Sequence, residues 1–393
     1  MMIPYGYKQT EVGVIPEDWE CVKIKDVATI SMCKRIFANQ TSTIGDVPFY
    51  KIGTFGKEAD ACISSKLYVE YRNKYSFPQK GDILISAAGT LGRTVVYDGE
   101  KAYFQDSNIV WLDINKTRLC NEYLNQYYKV IKWASSEGST IARLYNGIIY
   151  ATYISLPPLP EQQRIAEALS DVDGMISSLE KLIAKYKSIK TACLQQMFPQ
   201  NGETVPRIRL PGFTGAWEQR KLSDIAERFD NLRIPVAANL RIAGSTPYYG
   251  ANGIQDYVDG YTHDGEFVLV AEDGANDLKN YPVQYVKGRI WVNNHAHVLQ
   301  GKAKILDNRF LTYVINQADI ESLLVGCGRA KLNAETMMNI VLPIPAIKEQ
   351  QIIGCCLSKL DNLITLHQRK LEKIQKIKQG MMQQLLTGKI RLV

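Results

Sequence analysis

The sequence predicts an α+β fold: two mixed, mainly β domains separated by two long helices that form an antiparallel coiled coil, with a pseudo-two-fold internal repeat. Three observations support this prediction. A segment of the chain occurs twice, an apolar stripe with the period of a coiled coil follows each copy, and the remaining sequence contains short strand-like runs. With 393 residues, the chain can form more than one domain with its own core.

The repeated segment reads EQQRIAEALSDVD at residues 161–173 and EQQIIGCCLSKLD at residues 349–361. Upstream of each copy, WECVKIKDVA matches WEQRKLSDIA, and GSTIARL matches GCGRAKL. The whole chain is therefore a tandem duplication, with each globular part followed by a helix. Two copies are too few for a solenoid, which needs roughly three or more stacked units, so we predict an intramolecular pseudo-dimer.

A coiled-coil seam accompanies each copy of the repeated segment. Apolar residues alternate at spacings of four and three, which is a 3.5-residue period, and at ~1.5 Å per residue each seam is roughly 50 Å long. Pro160 and Pro345 lie at the helix starts, where proline is favoured. The first seam contains Ile165, Leu169, Val172, Ile176, Leu179 and Ile183, and the second contains Ile353, Leu357, Leu360, Ile364, Leu371 and Ile374.

The spacing alone is compatible with more than one pairing of these helices. One helix could form a homodimeric coiled coil, or the two could pair within the chain, which their equal seam lengths favour. A pseudo-two-fold axis perpendicular to the helices would make them antiparallel. We therefore expect domains at residues 1–155 and 201–342, a central spacer helix at 156–200 and a C-terminal spacer helix at 343–393.

The sequence outside the two seams is typical of mixed, mainly β structure. Runs such as DILISAAG and FVLVAEDG are rich in branched apolar residues and end in glycine or aspartate turns. Within the domains, we also predict helical segments at residues 122–135 and 310–324.

Charge and cysteine content restrict the possible classes of function. The net charge is +7, and residues 348–393 carry nine Lys/Arg against three Asp/Glu. Such a basic tail is typical of nucleic-acid binding or of a solvated helix face. No apolar run approaches the ~20 residues of a membrane span. The eight scattered cysteines form no CxxC pair, so we expect a cytoplasmic protein without disulfides or zinc.

Sequence motifs of catalysis are absent. There is no phosphate-binding loop, no GxSxG elbow and no tetrapeptide of the amino-methyltransferase type. His295 and His297 form an H-x-H pair on a predicted strand, but no third ligand has recognisable spacing, so hydrogen-bonded histidines are favoured over a metal site. We predict a non-catalytic binding protein with no metal or cofactor of its own.

The candidate ligand contacts are of the nucleic-acid type. Arg93 follows the glycine-rich turn AAGTLG, where an arginine can contact a phosphate or a guanine edge. The stretch TPYYGANGIQ combines aromatic rings with amides, which read adenine edges. Plain surface turns with solvated side chains are the alternative in each case. The candidate DNA contacts are Lys34, Arg35, Arg93, Arg143, Tyr248, Tyr249, Asn252, Gln255, Asn293, Asn294, His295, Arg329 and Lys331.

Taken over its full length, the chain resembles the specificity subunit of type I restriction–modification enzymes. The residues that carry the resemblance are YKQTEVGVIPEDWE near the N-terminus, the duplicated W-E-x-x-K-[IL]-x-D-[VI]-A, the two proline-rich helix starts with EQQ (LPPLPEQQ and LPIPAIKEQQ), and QQLLTGKIRL near the C-terminus. The order of recognition domain, helix, recognition domain and helix agrees with it.

The resemblance implies a protein that binds double-stranded DNA without doing chemistry. Each target-recognition domain would read one half of a bipartite, asymmetric target, and the helices would fix the spacing. Two methyltransferase subunits, with S-adenosylmethionine, would dock on the helices and methylate adenine N6. Two restriction subunits, with ATP and Mg, would complete the enzyme. A coiled-coil scaffold without direct DNA binding and a stand-alone DNA-modifying enzyme are the alternatives.

Overall fold

The computed structural model describes residues 3–134, 143–200, 202–326 and 330–393. It divides into two compact units: unit 1 consists of Met1–Ser178 and Leu371–Val393, and unit 2 of Leu179–Lys370. Each unit therefore contains a part of both long helices. The sequence-based boundaries, which give each helix a segment of its own, stay a prediction.

Unit 1 is built around a four-stranded sheet of order β4-β10-β7-β8 and a three-stranded sheet of order β6-β5-β9. The other strand pairs among the described residues of unit 1 are antiparallel, β1 with β2 and β3 with β11. Its strands are Tyr7–Thr10 (β1), Gly13–Pro16 (β2), Glu20–Lys23 (β3), Ala28–Ser31 (β4), Val47–Tyr50 (β5), Cys62–Ile63 (β6), Ile83–Ser86 (β7), Thr94–Val96 (β8), Tyr103–Phe104 (β9), Ile109–Ile114 (β10) and Tyr153–Leu156 (β11). Its short helices are Ser65–Lys74 (α1), Asn121–Tyr127 (α2) and Asn146–Ala151 (α3).

Unit 2 has one six-stranded sheet of order β13-β18-β16-β17-β14-β15 and the antiparallel pair β12-β19. Its strands are Glu218–Lys221 (β12), Ala226–Arg228 (β13), Ala243–Gly250 (β14), Gly253–Val258 (β15), His263–Ala271 (β16), Val283–Val292 (β17), Ala296–Gly301 (β18) and Val341–Ile344 (β19). The long helices are Leu159–Gln196 (α4) and Ile347–Leu385 (α8), and the short ones are Leu222–Ile225 (α5), Asn308–Ile315 (α6) and Ala334–Met338 (α7).

The central strands are buried on both faces of their sheets. Side chains alternate between the two sides of a sheet, so neighbouring residues of one strand enter different cores. In β7, Ile83 and Ile85 lie in a core that also contains Trp19 and the start of α4, whereas Leu84 lies in a second core on the opposite face. In β16, Val268 and Val270 divide from Phe267 and Leu269 in the same way. This explains why the predicted strand runs are continuously apolar.

The two helices pair antiparallel, as predicted. In unit 1, Lys378 of α8 donates to Asp173 of α4, and in unit 2, Lys190 of α4 donates to Asp361 of α8 at 2.6 Å. The earlier part of α4 thus faces the later part of α8, and the reverse holds in unit 2. The α+β fold with its internal repeat is confirmed.

The polar residues that interrupt the seam have partners of their own. Lys190 and Lys378 occupy apolar positions of the heptad and form the ion pairs just described. His367 stacks on Tyr186, with ring centroids 5.6 Å apart. All twelve apolar seam residues named from the sequence are buried or half-buried, so the heptad pattern correctly identified the inward face.

The segments predicted as helices within the two units are shorter than expected. The structure has α2 end at Tyr127 and α6 end at Ile315, followed by turns. The first prediction continued through Val130 and Ile131, whose β-branched side chains lower helix propensity.

The repeated EQQ segment holds each unit against the start of its long helix. In unit 1, Gln162 accepts from the Cys120 amide at 3.0 Å and donates to the carbonyls of Arg118 and Pro157. In unit 2, Gln350 accepts from the Asp307 amide at 3.0 Å and donates to two equivalent carbonyls. The repeated glutamine therefore joins each unit to its long helix by satisfying one backbone amide and two backbone carbonyls.

Candidate nucleic-acid interface

In each unit, two of the described strands pair in parallel and end at the same place. The pair is β5 with β9 in unit 1 and β14 with β17 in unit 2. Just beyond the pair, the Gln105 amide donates to the Tyr50 carbonyl at 2.9 Å, and the Asn293 amide donates to the Tyr249 carbonyl at 3.1 Å. We call this place the strand-end edge: residues 50–52 and 105–108 in unit 1, and residues 249–255 and 293–295 in unit 2.

Further backbone contacts bring a loop of each unit to the strand-end edge. The Ala87 amide donates to the Asn108 carbonyl, and the Glu272 amide donates to the His295 carbonyl, both at 2.8 Å. Leu144 donates to Ala87 at 2.9 Å, and Leu332 donates to Glu272 at 2.7 Å. The candidates Arg143 and Lys331 precede these leucines, so both candidates lie at equivalent places, as the repeat predicts.

In unit 2, the strand-end edge contains most candidates predicted from TPYYGANGIQ and NNH. Gln255 and Asn294 are exposed, and the side-chain nitrogen Nδ2 of Asn293 is 3.5 Å from Gln255 Oε1. Asn252 donates to the Gly274 carbonyl and accepts from the Asn276 amide, both at 2.9 Å. The pattern therefore grouped these amides correctly, and their contact with bases stays a prediction.

The two tyrosines of this group differ in position. Tyr248 is 1% exposed, its hydroxyl accepts from the Val236 amide at 2.9 Å, and Arg241 lies 4.1 Å from the ring centroid. Tyr248 is therefore a buried side chain that packs inside unit 2. Tyr249 is half-buried on the opposite face of β14, and burial raises the pKa of its hydroxyl.

The H-x-H histidines bind carboxylates. Nδ1 of His295 is 2.6 Å from Asp273, and Nδ1 of His297, which is 1% exposed, is 2.6 Å from Asp230. Nε2 of His297 is 2.9 Å from the Leu332 carbonyl. Both histidines are thus hydrogen-bonded, which is the alternative that the sequence favoured.

Asp230, Glu272 and His297 bring three possible metal ligands within 4.8 Å of one another. Arg233 and Lys331 already form ion pairs with Glu272, at 2.7 and 2.8 Å. The chain therefore supplies the positive charge that a metal ion would bring, and the cluster has the composition of an ion-pair network. Burial alone would raise the pKa of Asp230, but hydrogen bonds from His297 and Val298 lower it overall.

In unit 1, two of the candidate cations, Arg35 and Arg143, contact the turn at residues 105–108. Arg35 is mostly exposed and forms an ion pair with Asp106 at 2.9 Å. Arg143 donates to the Ser107 carbonyl at 2.8 Å. The ammonium of Lys34 lies 5.2 Å from the centre of the Tyr75 ring, and Arg93 donates to the Phe55 carbonyl at 2.9 Å. Arg329 lies outside the described residues.

Sequence reasoning missed several residues of these edges. Arg233 lies at the place that Arg35 occupies in the first repeat, and both belong to an R-I sequence at the same offset as the W-E repeat. Lys51, Gln105 and Asn108 line a cleft of unit 1. The signal for them was the match of PFY at 48–50 with PYY at 247–249, which aligns Lys51 with Gly250.

Comparison with known proteins identifies the family of this framework. The model of the type I restriction modification DNA specificity domain matches residues 16–190 and 215–376, which include most of both repeats. The chain belongs to this family. It is therefore of the specificity-subunit type that the duplicated motifs indicated.

Individual type I specificity subunits are similar over different parts of the chain. A putative type I restriction enzyme specificity subunit, S.HindORF215P of Haemophilus influenzae, is 52% identical over 175 residues, which are 44% of this chain and 46% of that protein. This chain thus matches less than half of that relative. The putative MjaX specificity subunit of Methanocaldococcus jannaschii is 26% identical and covers 98% of this chain and 97% of its own length.

A solved structure of this kind has the same fold. The crystal structure of a type I restriction-modification system S subunit from M. genitalium superposes with a TM-score of 0.69 at 14% identity, over 93% of this chain and 96% of that one. Among the helices of the described segments, none has the length and apolar character needed to cross a membrane.

Proposed function

We propose that this specificity subunit binds a bipartite, asymmetric DNA target, with each unit contacting one half of it. The observation that carries the proposal is that the two units share their internal hydrogen bonds and ion pairs but differ in the side chains at their strand-end edges. The contacts that fasten each unit to its helix are the same in both repeats, whereas the strand-end edges carry different side chains. Two equivalent supports with different surfaces suit two different half-sites.

The repeated framework extends from the helix starts to the middle of the helices. Glu161 binds Arg391 and Glu349 binds Arg209, so the same carboxylate–guanidinium pair closes each unit. Asp173 and Asp361 likewise accept from equivalent lysines. These pairs are internal to the chain and use residues that both repeats share.

The strand-end edges, in contrast, differ in the chemistry that reads base pairs. Lys51 of unit 1 corresponds to Gly250 of unit 2, and Gln105 corresponds to Asn293 by its backbone hydrogen bond. Amide and cationic side chains at different positions recognise different base edges in the major groove. The exposed candidates of both edges are proposed as DNA contacts on this ground.

Docking of methyltransferase subunits belongs to the same proposal, and it requires apolar residues outside the seam. Met175 and Ile189 of α4 are exposed, and their equivalents on α8, Leu363 and Ile377, are exposed as well. By the register of Asp173 with Lys378, Met175 lies next to Ile377 in unit 1. By the register of Lys190 with Asp361, Ile189 lies next to Leu363 in unit 2.

Each unit therefore presents one exposed apolar pair at an equivalent position, which suits two copies of one partner. We assign these pairs to the two methyltransferase subunits. Those subunits would supply S-adenosylmethionine and methylate adenine N6, after the target base leaves the stack. Two restriction subunits, with ATP and Mg, would complete the assembly, and this chain would contribute recognition and positioning.

Methylation mapping in a strain that carries this chain with its partners tests the proposal. We expect methyl-adenine in a split, asymmetric motif. Exchange of residues 206–342 for the corresponding segment of a relative is expected to change one half of the motif only. A change in both halves, or a continuous motif, would contradict the assignment of one half-site to each unit. Absence of DNA binding with all partners present would favour the scaffold alternative.

A further inference from the structure

Unit 1 has a polar cleft at its strand-end edge that the candidate residues only partly describe. The cleft has a volume of about 410 Å³ and is bordered by three cationic side chains and one carboxylate. The cations are Arg35, Lys51 and Arg143, and the carboxylate is Asp106. Gln105 and Asn108 supply amides to the same cleft.

The turn that carries these amides is held in an unusual conformation. Ser107 has φ of 59°, in the left-handed region that residues other than glycine rarely adopt. Arg143 donates to the Ser107 carbonyl, and the Ser107 hydroxyl donates to the Asp106 carboxylate at 3.1 Å. Backbone strain of this kind persists where surrounding contacts fix it, and such contacts are common around binding loops.

Gln105 is fixed from one side and free to bind on the other. Its Oε1 accepts from the Ile52 amide at 2.9 Å, which sets the direction of the side chain. An amide held in this way can offer its NH₂ group, and its remaining oxygen lone pair, to a ligand in the cleft. Pre-oriented amides are the groups that form the paired hydrogen bonds to adenine N7 and N6.

We infer that this cleft reads base edges of one half-site, with Gln105 and Asn108 as specificity-determining residues and Arg35, Lys51 and Arg143 holding the adjacent phosphates. The inference rests on the proposed function and extends it to named residues. Cations at the border of the cleft and amides within it match the division between phosphate contacts, which position a protein, and base contacts, which specify the sequence.

The exchange of Gln105 for glutamate separates base reading from folding. Gln105→Glu keeps an oxygen for the Ile52 amide and replaces the donating NH₂ with a second oxygen. A carboxylate no longer donates to adenine N7 but can accept from cytosine N4. Asn108→Asp makes the same change at the second position. Asn73→Asp is the matched control, because Asn73 is an exposed amide of α1 that does not line the cleft.

Each variant is placed in the assembled enzyme, and the methylated motif is mapped in cells. We expect the cleft variants to change the preferred base at one position of one half-site, with methylation of the original motif falling roughly tenfold or more. The control is expected to leave the motif unchanged.

An unchanged motif in both cleft variants would overturn the inference, as would a change in both half-sites. A uniform loss of methylation without a change of motif would also overturn the reading role. Failure of the proposed function is distinguishable, because then the unmodified chain with its partners would give no split motif at all.

Discussion

The guanidinium of Arg391 donates two hydrogen bonds to the carboxylate of Glu161, at 2.7 and 2.8 Å, although these residues are 230 positions apart. Glu161 is only 2% exposed and also accepts from the Trp19 indole at 3.0 Å. The hydrogen bonds to Glu161 and Asp18 raise the pKa of Arg391. In unit 2, Arg209 binds Glu349, which is 1% exposed, in the same bidentate manner.

We predict that Arg391→Leu lowers the free energy of unfolding of unit 1 by roughly 3 kcal/mol, because it leaves a buried carboxylate without its cation. Arg209→Leu should have a similar effect on unit 2. Urea unfolding followed by far-ultraviolet circular dichroism measures both. The control is Arg220→Leu, which removes an exposed ion pair with Glu218 and should cost less than about 1 kcal/mol. Equal effects of Arg391→Leu and Arg220→Leu would contradict this prediction.

Acid should destabilise both units by protonating four carboxylates whose pKa is lowered in the folded chain. For Glu161, Asp173, Asp230 and Glu272, burial would raise the pKa, but hydrogen bonds and nearby charged groups outweigh burial and lower the pKa in the folded chain. A folded-state pKa below the unfolded value of about 4 means that the stabilisation is present above about pH 4–5 and is lost as the pH falls through the folded pKa.

We therefore expect the midpoint of thermal unfolding to fall steeply below about pH 4. Calorimetry over this pH range measures it. Glu161→Gln should lower the stability at pH 7 and reduce the slope below pH 4, because one of the titrating groups is gone. A midpoint that is independent of pH down to pH 3 would refute the role of these carboxylates.

Gly354 allows α8 to lie close to the start of α6. A Cβ atom at Gly354 would be 2.7 Å from the Phe310 backbone nitrogen and 3.0 Å from Asp307 Oδ1, which caps α6. We predict that Gly354→Ala lowers the free energy of unfolding by about 1–3 kcal/mol, since overpacking exceeds the gain in helix propensity.

The matched controls for Gly354 are glycines of the long helices α4 and α8 that have open space around them. A Cβ atom at Gly174 or Gly380 would meet nothing within 4 Å. Alanine at either position should raise the free energy of unfolding by roughly 0.5–1 kcal/mol. If Gly354→Ala stabilised the protein as well, the close approach to α6 would not be limiting.

The exposed apolar pairs should determine how many partner copies bind. Ile189→Asp with Leu363→Asp should remove one methyltransferase subunit, and Met175→Asp with Ile377→Asp should remove the other, because a charge in an apolar interface loses its hydration. Mass measurement of the assembled complex by light scattering counts the copies.

Leu366→Asp is the control for the docking pairs, because Leu366 is also exposed on α8 but lies at a different heptad position. It should leave the stoichiometry unchanged. If both double variants assembled with the full number of subunits, the docking surface would lie elsewhere on the chain.

The sequence predicted the helices and the repeat well because both are encoded in local patterns. A heptad seam such as Leu169 to Leu179 depends only on spacing, and the structure buries it as predicted. The strand runs were also visible, since β7 from Ile83 to Ile85 and the second half of β16, from Phe267 to Ala271, are continuously apolar.

The functions of polar residues were harder to predict, because their partners are distant in sequence. Gln162 binds Cys120 and Arg118, and Arg143 binds Ser107, and no spacing rule links such positions. Tyr248 belongs to a stretch that is typical of a surface contact, but it lies inside unit 2, where its hydroxyl accepts a hydrogen bond from the Val236 amide. Gln105 lies between strand runs in the sequence, and only the parallel pairing of β5 with β9 brings it to the cleft.

The ion pair between Arg391 and Glu161 also has a consequence for the order in which the protein folds during synthesis. Unit 2 is one continuous stretch, Leu179–Lys370, whereas unit 1 needs Leu371–Val393, which the ribosome makes after all of unit 2. Trp19 and the first turns of α4 must therefore wait for Leu385, Leu386 and Arg391 before their core is complete. Domains usually fold as units from the N-terminus onward. Here the part that is translated first is the part that is finished last.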